Sequence, residues 1–178
     1  MAAALPHRSN ASTLRQINVS LVNRQRTRIV DMRLFRRIIK TLLSEILKTG
    51  HADLAIHLVA TREMTRLNET FLRHAGPTDV ITFDYADNAR HKRSDSRLRA
   101  HGEIFICVDE AVAQARRFRT TWQSELGRYA IHGILHLLGF DDLKPVARRS
   151  MKRAESRCLG SLASRHSLTK LARRRATR

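Results

Sequence analysis

The stretch His132-Gly133-Ile134-Leu135-His136-Leu137-Leu138-Gly139-Phe140-Asp141-Asp142 sets two imidazoles four residues apart, then a glycine, then a carboxylate three residues beyond it. On a helix, positions i and i+4 lie on one face, one above the other, so His132 and His136 can reach a single ion. Gly139 can take the left-handed backbone that ends a helix and reverses the chain, which returns Asp142 toward the imidazoles. Two nitrogens and one oxygen then fill three corners of a tetrahedron. The fourth stays open for water, as in a catalytic rather than a structural zinc site. Ile134, Leu135, Leu137 and Leu138 between the ligands make this the most apolar helix of the chain, and such a helix belongs at the centre of the fold.

The spacing is that of the extended metzincin motif with aspartate in place of the third histidine. Zincin proteases carry a glutamate directly after the first histidine as general base, and here that position is Gly133. The peptidase reading therefore lacks its base. A metal-activated water suits attack on a phosphodiester without a dedicated glutamate.

Working outward, Gln16 to Asn23 alternates as a strand. Asp31 caps a helix over Met32 to Lys48 that Gly50 ends, with Leu34, Ile38, Leu42 and Ile46 as its core stripe. A strand over Asp53 to Ala60 leads to a helix from Thr61, its N-cap, to Leu72. His57 reads as a surface or packing histidine. Thr78 to Asp84 and Gly102 to Val108 are further strands, joined by a polar, arginine-rich loop over Asp87 to Ala100. Asp109 caps a helix to Phe118, Thr120 or Thr121 opens the metal helix to Leu138, and Lys144 to Leu159 is a last helix. The order β-α-β-α-β-β-α-α-α predicts a single α+β domain, with a four-stranded mixed sheet packed by helices around a central metal-binding helix. Residues 1–14 read as a flexible basic leader, 15–159 as the domain, and 160–178 as a basic, disordered tail.

The chain has 178 residues, with 34 Lys and Arg against 16 Asp and Glu, a net charge of +18. That balance points to an anionic polymer, nucleic acid first. Arg90, Lys92, Arg93, Arg97 and Arg99, the Arg116–Arg119 cluster and both ends are the candidate phosphate contacts. Phe83, Tyr85 and Trp122 are the aromatics placed to stack a base, with packing as the other reading. No apolar run nears the roughly 18 residues of a membrane span. Cys107 and Cys158 lack ligand-like spacing and read as packing or surface residues.

Three blocks carry a resemblance. The first is Leu67-Asn68 with Phe71, continuing to Pro77-Thr78-Asp79-Val80-Ile81-Thr82-Phe83. The second is Gly102-Glu103-Ile104 with Ile106, Val108 and Asp109. The third is the His132–Asp142 stretch with Met151 and Glu155. With them, residues 15 to 158 resemble the YbeY-type endoribonucleases, the bacterial rRNA maturation factors.

The resemblance implies a single-strand-directed, metal-dependent endoribonuclease of 16S rRNA 3′-end maturation and ribosome quality control. It implies one zinc ion held by three side chains, rRNA precursor and the ribosome or its small subunit as partners, neither DNA nor membrane, and a cytoplasmic location. His132 and His136 take the first two ligand positions. The third is usually histidine in the family and is Asp142 here, which admits Mn or Mg as well as Zn. A functional arginine follows the aromatic of the first block; Leu72 holds that position and Arg73 comes next, the candidate catalytic residue. The rival readings are a non-catalytic ribosome-assembly factor with a structural metal, closed by Asp141, His74 or His101, and a metallopeptidase. Whether water or a 2′-hydroxyl attacks stays open, as does the oligomeric state.

Overall fold

The computed structural model describes residues 16–86 and 98–173. The expected leader, most of the arginine-rich loop and the last five residues lie outside the described residues.

Four strands, β1 (Gln16–Asn23), β2 (His51–Val59), β3 (Val80–Asp84) and β4 (Arg99–Cys107), form one sheet in the order β1-β2-β4-β3. β1 runs parallel to β2 and β2 to β4, whereas β3 is antiparallel to β4. Five helices complete the α+β domain: α1 (Met32–Thr41), α2 (Thr61–Leu67), α3 (Val108–Phe118), α4 (Trp122–Leu137) and α5 (Pro145–Arg165). α1 and α2 each run on into a π-helical turn, Leu42–Ile46 and Asn68–Leu72.

The period-2 pattern of β2 decides the layers. Ala52, Leu54, Ile56 and Leu58 point to one face and are buried. There they join Phe35, Ile38 and Leu42 from the first helical segment and Leu126, Ile131, Ile134 and Leu135 from α4 in the main core. The opposite face carries a smaller cluster of Val59, Met64, Ile81, Phe105 and Cys107, which α2 supplies through Met64. Asp31 caps α1, its Oδ1 accepting from Leu34 N at 2.9 Å, and Thr121 caps α4 by accepting from Ser124 N at 3.2 Å.

Two expectations about caps do not hold. Thr61 lies inside α2 and Asp109 inside the first turn of α3. Instead, Asp109 Oδ2 accepts from Thr61 N (2.6 Å) and from its hydroxyl (2.9 Å), while Oδ1 accepts from the Thr27 hydroxyl. The start of α2 is thus capped by a carboxylate 48 residues away, which no local pattern can show.

The larger correction is at the C-terminal end. α5 continues past Gly160 to Arg165, and a 3-10 turn follows over Leu168–Leu171. Leu162, Leu168 and Leu171 are buried, Ala172 bridges Val30, and Arg173 N donates to Ile29 O at 2.9 Å. Residues 160–173 are therefore part of the domain and not a tail. Three leucines at spacings that reach the core outweigh the basic charge that suggested disorder.

Candidate metal centre

α4 lies across β3 and β4, and its close approach depends on Gly133. A Cβ there would stand 2.7 Å from Ile104 Cγ2 and 3.3 Å from Thr82 Oγ1. The residue after the first histidine therefore faces the sheet, and a glutamate has no space at that position.

His132 and His136 are half-buried on the flank of the helix from which His132 meets α5. The helix then ends in a Schellman motif: Gly139 sits at φ 87, Phe140 N donates to Leu135 O (3.0 Å) and Gly139 N to His136 O (2.9 Å). The reversal returns Asp142, whose Oδ1 lies 3.9 Å from His136 Nε2. Arg148 of α5 fixes that loop by donating from Nε to Asp142 O at 3.0 Å. One ligand atom from each of His132, His136 and Asp142 falls within 4.8 Å of the other two, so the three side chains could hold one ion. Among the described residues, Asp141, His74 and His101 do not join them. Asp141 accepts from Leu143 N at 3.0 Å and shapes the turn.

The second ring nitrogens are already engaged. His132 Nδ1 lies 2.6 Å from Glu155 Oε1, and His136 Nδ1 lies 3.1 Å from Phe140 O. A carboxylate and a carbonyl only accept, so both Nδ1 atoms donate. Each neutral imidazole then presents a bare Nε2 lone pair, and the two Nε2 atoms are 3.0 Å apart. Facing lone pairs beside a carboxylate call for a cation, and two nitrogens with one oxygen suit a divalent metal. Burial pulls the His132 pKa down, but the Glu155 hydrogen bond and the Glu155, Asp79 and Asp142 charges outweigh it and leave it above the ordinary histidine value.

Glu155 is the residue whose role sequence reasoning missed. It is buried, and it stands one helix away from the histidine it holds. Its presence in the third block was the available signal. Arg128 adds long-range support, with Nη1 4.0 Å from Glu155 Oε2 and Nε 3.6 Å from Glu125 Oε2.

A family model described as Endoribonuclease YbeY matches residues 20–163. The chain belongs to the YbeY family. An Endoribonuclease YbeY of Chlorobium luteolum is 35% identical over 136 residues, covering 76% of this chain and 91% of the relative. That of Chlorobium phaeovibrioides is 32% identical over 150 residues, 83% of this chain and 93% of the relative. A solution structure of a Thermotoga maritima protein superposes with a TM-score of 0.56 at 25% identity, covering 90% of this chain and 99% of that one.

The YbeY resemblance also singled out Arg73. It is exposed at the C-cap of the turn after α2, in the left-handed conformation at φ 56. Among the described residues, no hydrogen bond or ion pair ties it to the three candidate ligands. Of the candidate stacking aromatics, Phe83 packs edge-on against Phe71 (5.1 Å) and Phe105 (5.7 Å), Trp122 packs on the core, and Tyr85 is exposed. His57 stacks on Phe105 at 4.4 Å, and its Nε2 lies 3.2 Å from Glu103 Oε2. Both cysteines are free and buried, as packing residues.

Proposed function

We propose that this chain is a single-strand-specific, metal-dependent endoribonuclease that acts in 16S rRNA 3′-end maturation and ribosome quality control. The observation that carries the reading is the convergence of His132, His136 and Asp142 in a chain of the Endoribonuclease YbeY family. The three side chains would hold one zinc ion, with Mn or Mg admitted by the carboxylate. A divalent ion supplies Lewis acidity toward a phosphodiester at that position.

The chain's own groups do the rest. Glu155 and the Phe140 carbonyl orient the two rings, so that neither has to reorganise when a substrate arrives. Arg73, exposed beside the family's arginine position, binds a phosphate near the scissile one and is assigned the catalytic role. The net charge of +18 draws in the anionic strand. Ribosome or small-subunit association and a cytoplasmic location follow from the same reading. Among the described residues, no helix is long and apolar enough to cross a membrane.

The test is cleavage by the full-length, metal-loaded chain of a single-stranded RNA and of the same sequence as a duplex. Cutting of the single strand, lost in His136→Ala and reduced in Arg73→Ala at unchanged metal content, supports the reading. A His136→Ala variant that cuts at the wild-type rate overturns it. An unaltered rate in Arg73→Ala removes that residue's role.

A further inference from the structure

One turn of α4 before His132, a cavity of about 430 Å³ opens among α3, α4 and the residue that precedes β3. Its size falls within the roughly 300–1,000 Å³ of small-molecule sites. Tyr129 lines it, is only 6% exposed, and has no hydrogen-bond partner for its hydroxyl among the described residues. Burial, and then the Asp79 and Glu125 charges, hold its pKa far above the ordinary tyrosine value, so the hydroxyl stays a neutral donor. Gln114 also lines the cavity, and its side-chain amide is likewise without a partner among the described residues. Asp79 uses Oδ1 for Thr78 and Val80 N, and among the described residues Oδ2 is left as an open acceptor. At the rim, Phe118 is 61% exposed, and the Arg117 guanidinium lies 5.3 Å from its ring centre.

These groups suit a base better than a phosphate. The cation within the cavity, Arg128, already faces Glu125 and Glu155, and the open Asp79 carboxylate repels an anion. Arg116 and Arg119, with no ion-pair partner among the described residues, lie outside, at the exposed end of α3. An exposed aromatic ring flanked by arginines, beside a recess with open acceptors, is the arrangement that holds an unstacked base of a single strand. Open carboxylate and amide oxygens accept from an exocyclic amine.

We infer that this cavity is a base subsite of the ribonuclease. It takes one amino-bearing base (guanine, adenine or cytosine, in preference to uracil) of the RNA strand whose scissile phosphate lies at His132 and His136. Phe118 stacks the base, and Asp79, Gln114 and Tyr129 read its edge. The inference rests on the nuclease reading above.

Its test has two arms on the full-length chain. In the first, single-stranded oligonucleotides with one abasic position walked along the strand are cleaved by wild type, Phe118→Ala and Tyr129→Phe. Stacking of this kind is worth about tenfold in affinity. Phe118→Ala should raise KM about tenfold at near wild-type kcat, and an abasic residue at one position should do the same to wild type but not to Phe118→Ala. Tyr129→Phe removes a donor to the base edge and should raise KM, while the preference for an amino-bearing base over uracil, set by the Asp79 and Gln114 oxygens, is kept. Wild-type KM and unchanged abasic sensitivity in Phe118→Ala overturn the subsite while leaving the nuclease reading intact. In the second arm, guanosine, adenosine, cytidine and uridine 5′-monophosphates are titrated while the amide signals of Gln114, Phe118 and Tyr129 are followed. Shifts with the first three and weaker ones with uridine support the subsite even if no RNA is cut, an outcome that would sink only the nuclease reading. Equal shifts with all four, or none, overturn it.

Discussion

The Nε2 atoms of His132 and His136 face each other at 3.0 Å while both Nδ1 atoms donate elsewhere. The pair is arranged for a cation, and binding one should stabilise the fold. At a metal concentration 100 times the dissociation constant, the gain is about 2.7 kcal/mol. Thermal melts with added zinc and with a chelator should therefore differ by several degrees in wild type. His136→Ala should show almost no difference, and a wild-type melting point indifferent to both treatments would sink the metal centre.

Glu155 reaches His132 from a separate helix at 2.6 Å. Glu155→Gln keeps the size and can still accept a hydrogen bond, but it removes the charge that strengthens the ring as a donor. Loss of such an outer partner typically weakens metal binding about 10- to 100-fold. Competition with a chromogenic chelator should place Glu155→Gln between wild type and His132→Ala. An affinity equal to wild type would mean that Glu155 only packs.

Gly133→Ala tests why the protease glutamate is absent. The added Cβ meets Ile104 Cγ2 at 2.7 Å, and Ile104 is fully buried and β-branched, so it cannot swing away. Overpacking costs about 1–3 kcal/mol, and the better helix propensity of alanine returns at most about 1 kcal/mol. Denaturant melts should show a net loss, and Gly133→Glu should not fold.

The three candidate ligands were legible because their chemistry is local: i to i+4 on a helix, then a glycine turn, all within eleven residues. The strands were legible for the same reason, since Ala52, Leu54, Ile56 and Leu58 alternate within one segment. What stayed hidden was joined across the chain. Glu155 meets His132 from 23 residues away, and Asp109 meets Thr61 from 48. Composition also misled where a few side chains decided the outcome, as Leu162, Leu168 and Leu171 do within a basic segment.

Asp109 should dominate part of the acid limb of stability. Its burial favours the neutral form, but the bonds from Thr27 and Thr61 outweigh that and lower its pKa below the ordinary 3.8. A carboxylate with a folded-state pKa below its unfolded value stabilises fully above the unfolded value, and the contribution fades as pH falls through the folded one. Asp109→Asn should lose about 2 kcal/mol at neutral pH and show a shallower decline below pH ~4. Parallel acid limbs in the two proteins would exclude this role.

Leu171 is fully buried, and its carbonyl accepts from Asp31 N at 2.8 Å, the residue that caps α1. The C-terminal segment thus closes over the start of the first helix, and Ala172 extends the contact to Val30. Deleting a leucine from such a site costs about 2–5 kcal/mol, because the surroundings collapse only in part. Leu171→Ala should lower the melting temperature sharply, and truncation after Leu159, which also removes Leu162 and Leu168, should prevent stable folding. A disordered tail predicts the opposite, a truncated chain with the wild-type melting point, so one thermal melt of the truncated protein decides between the two.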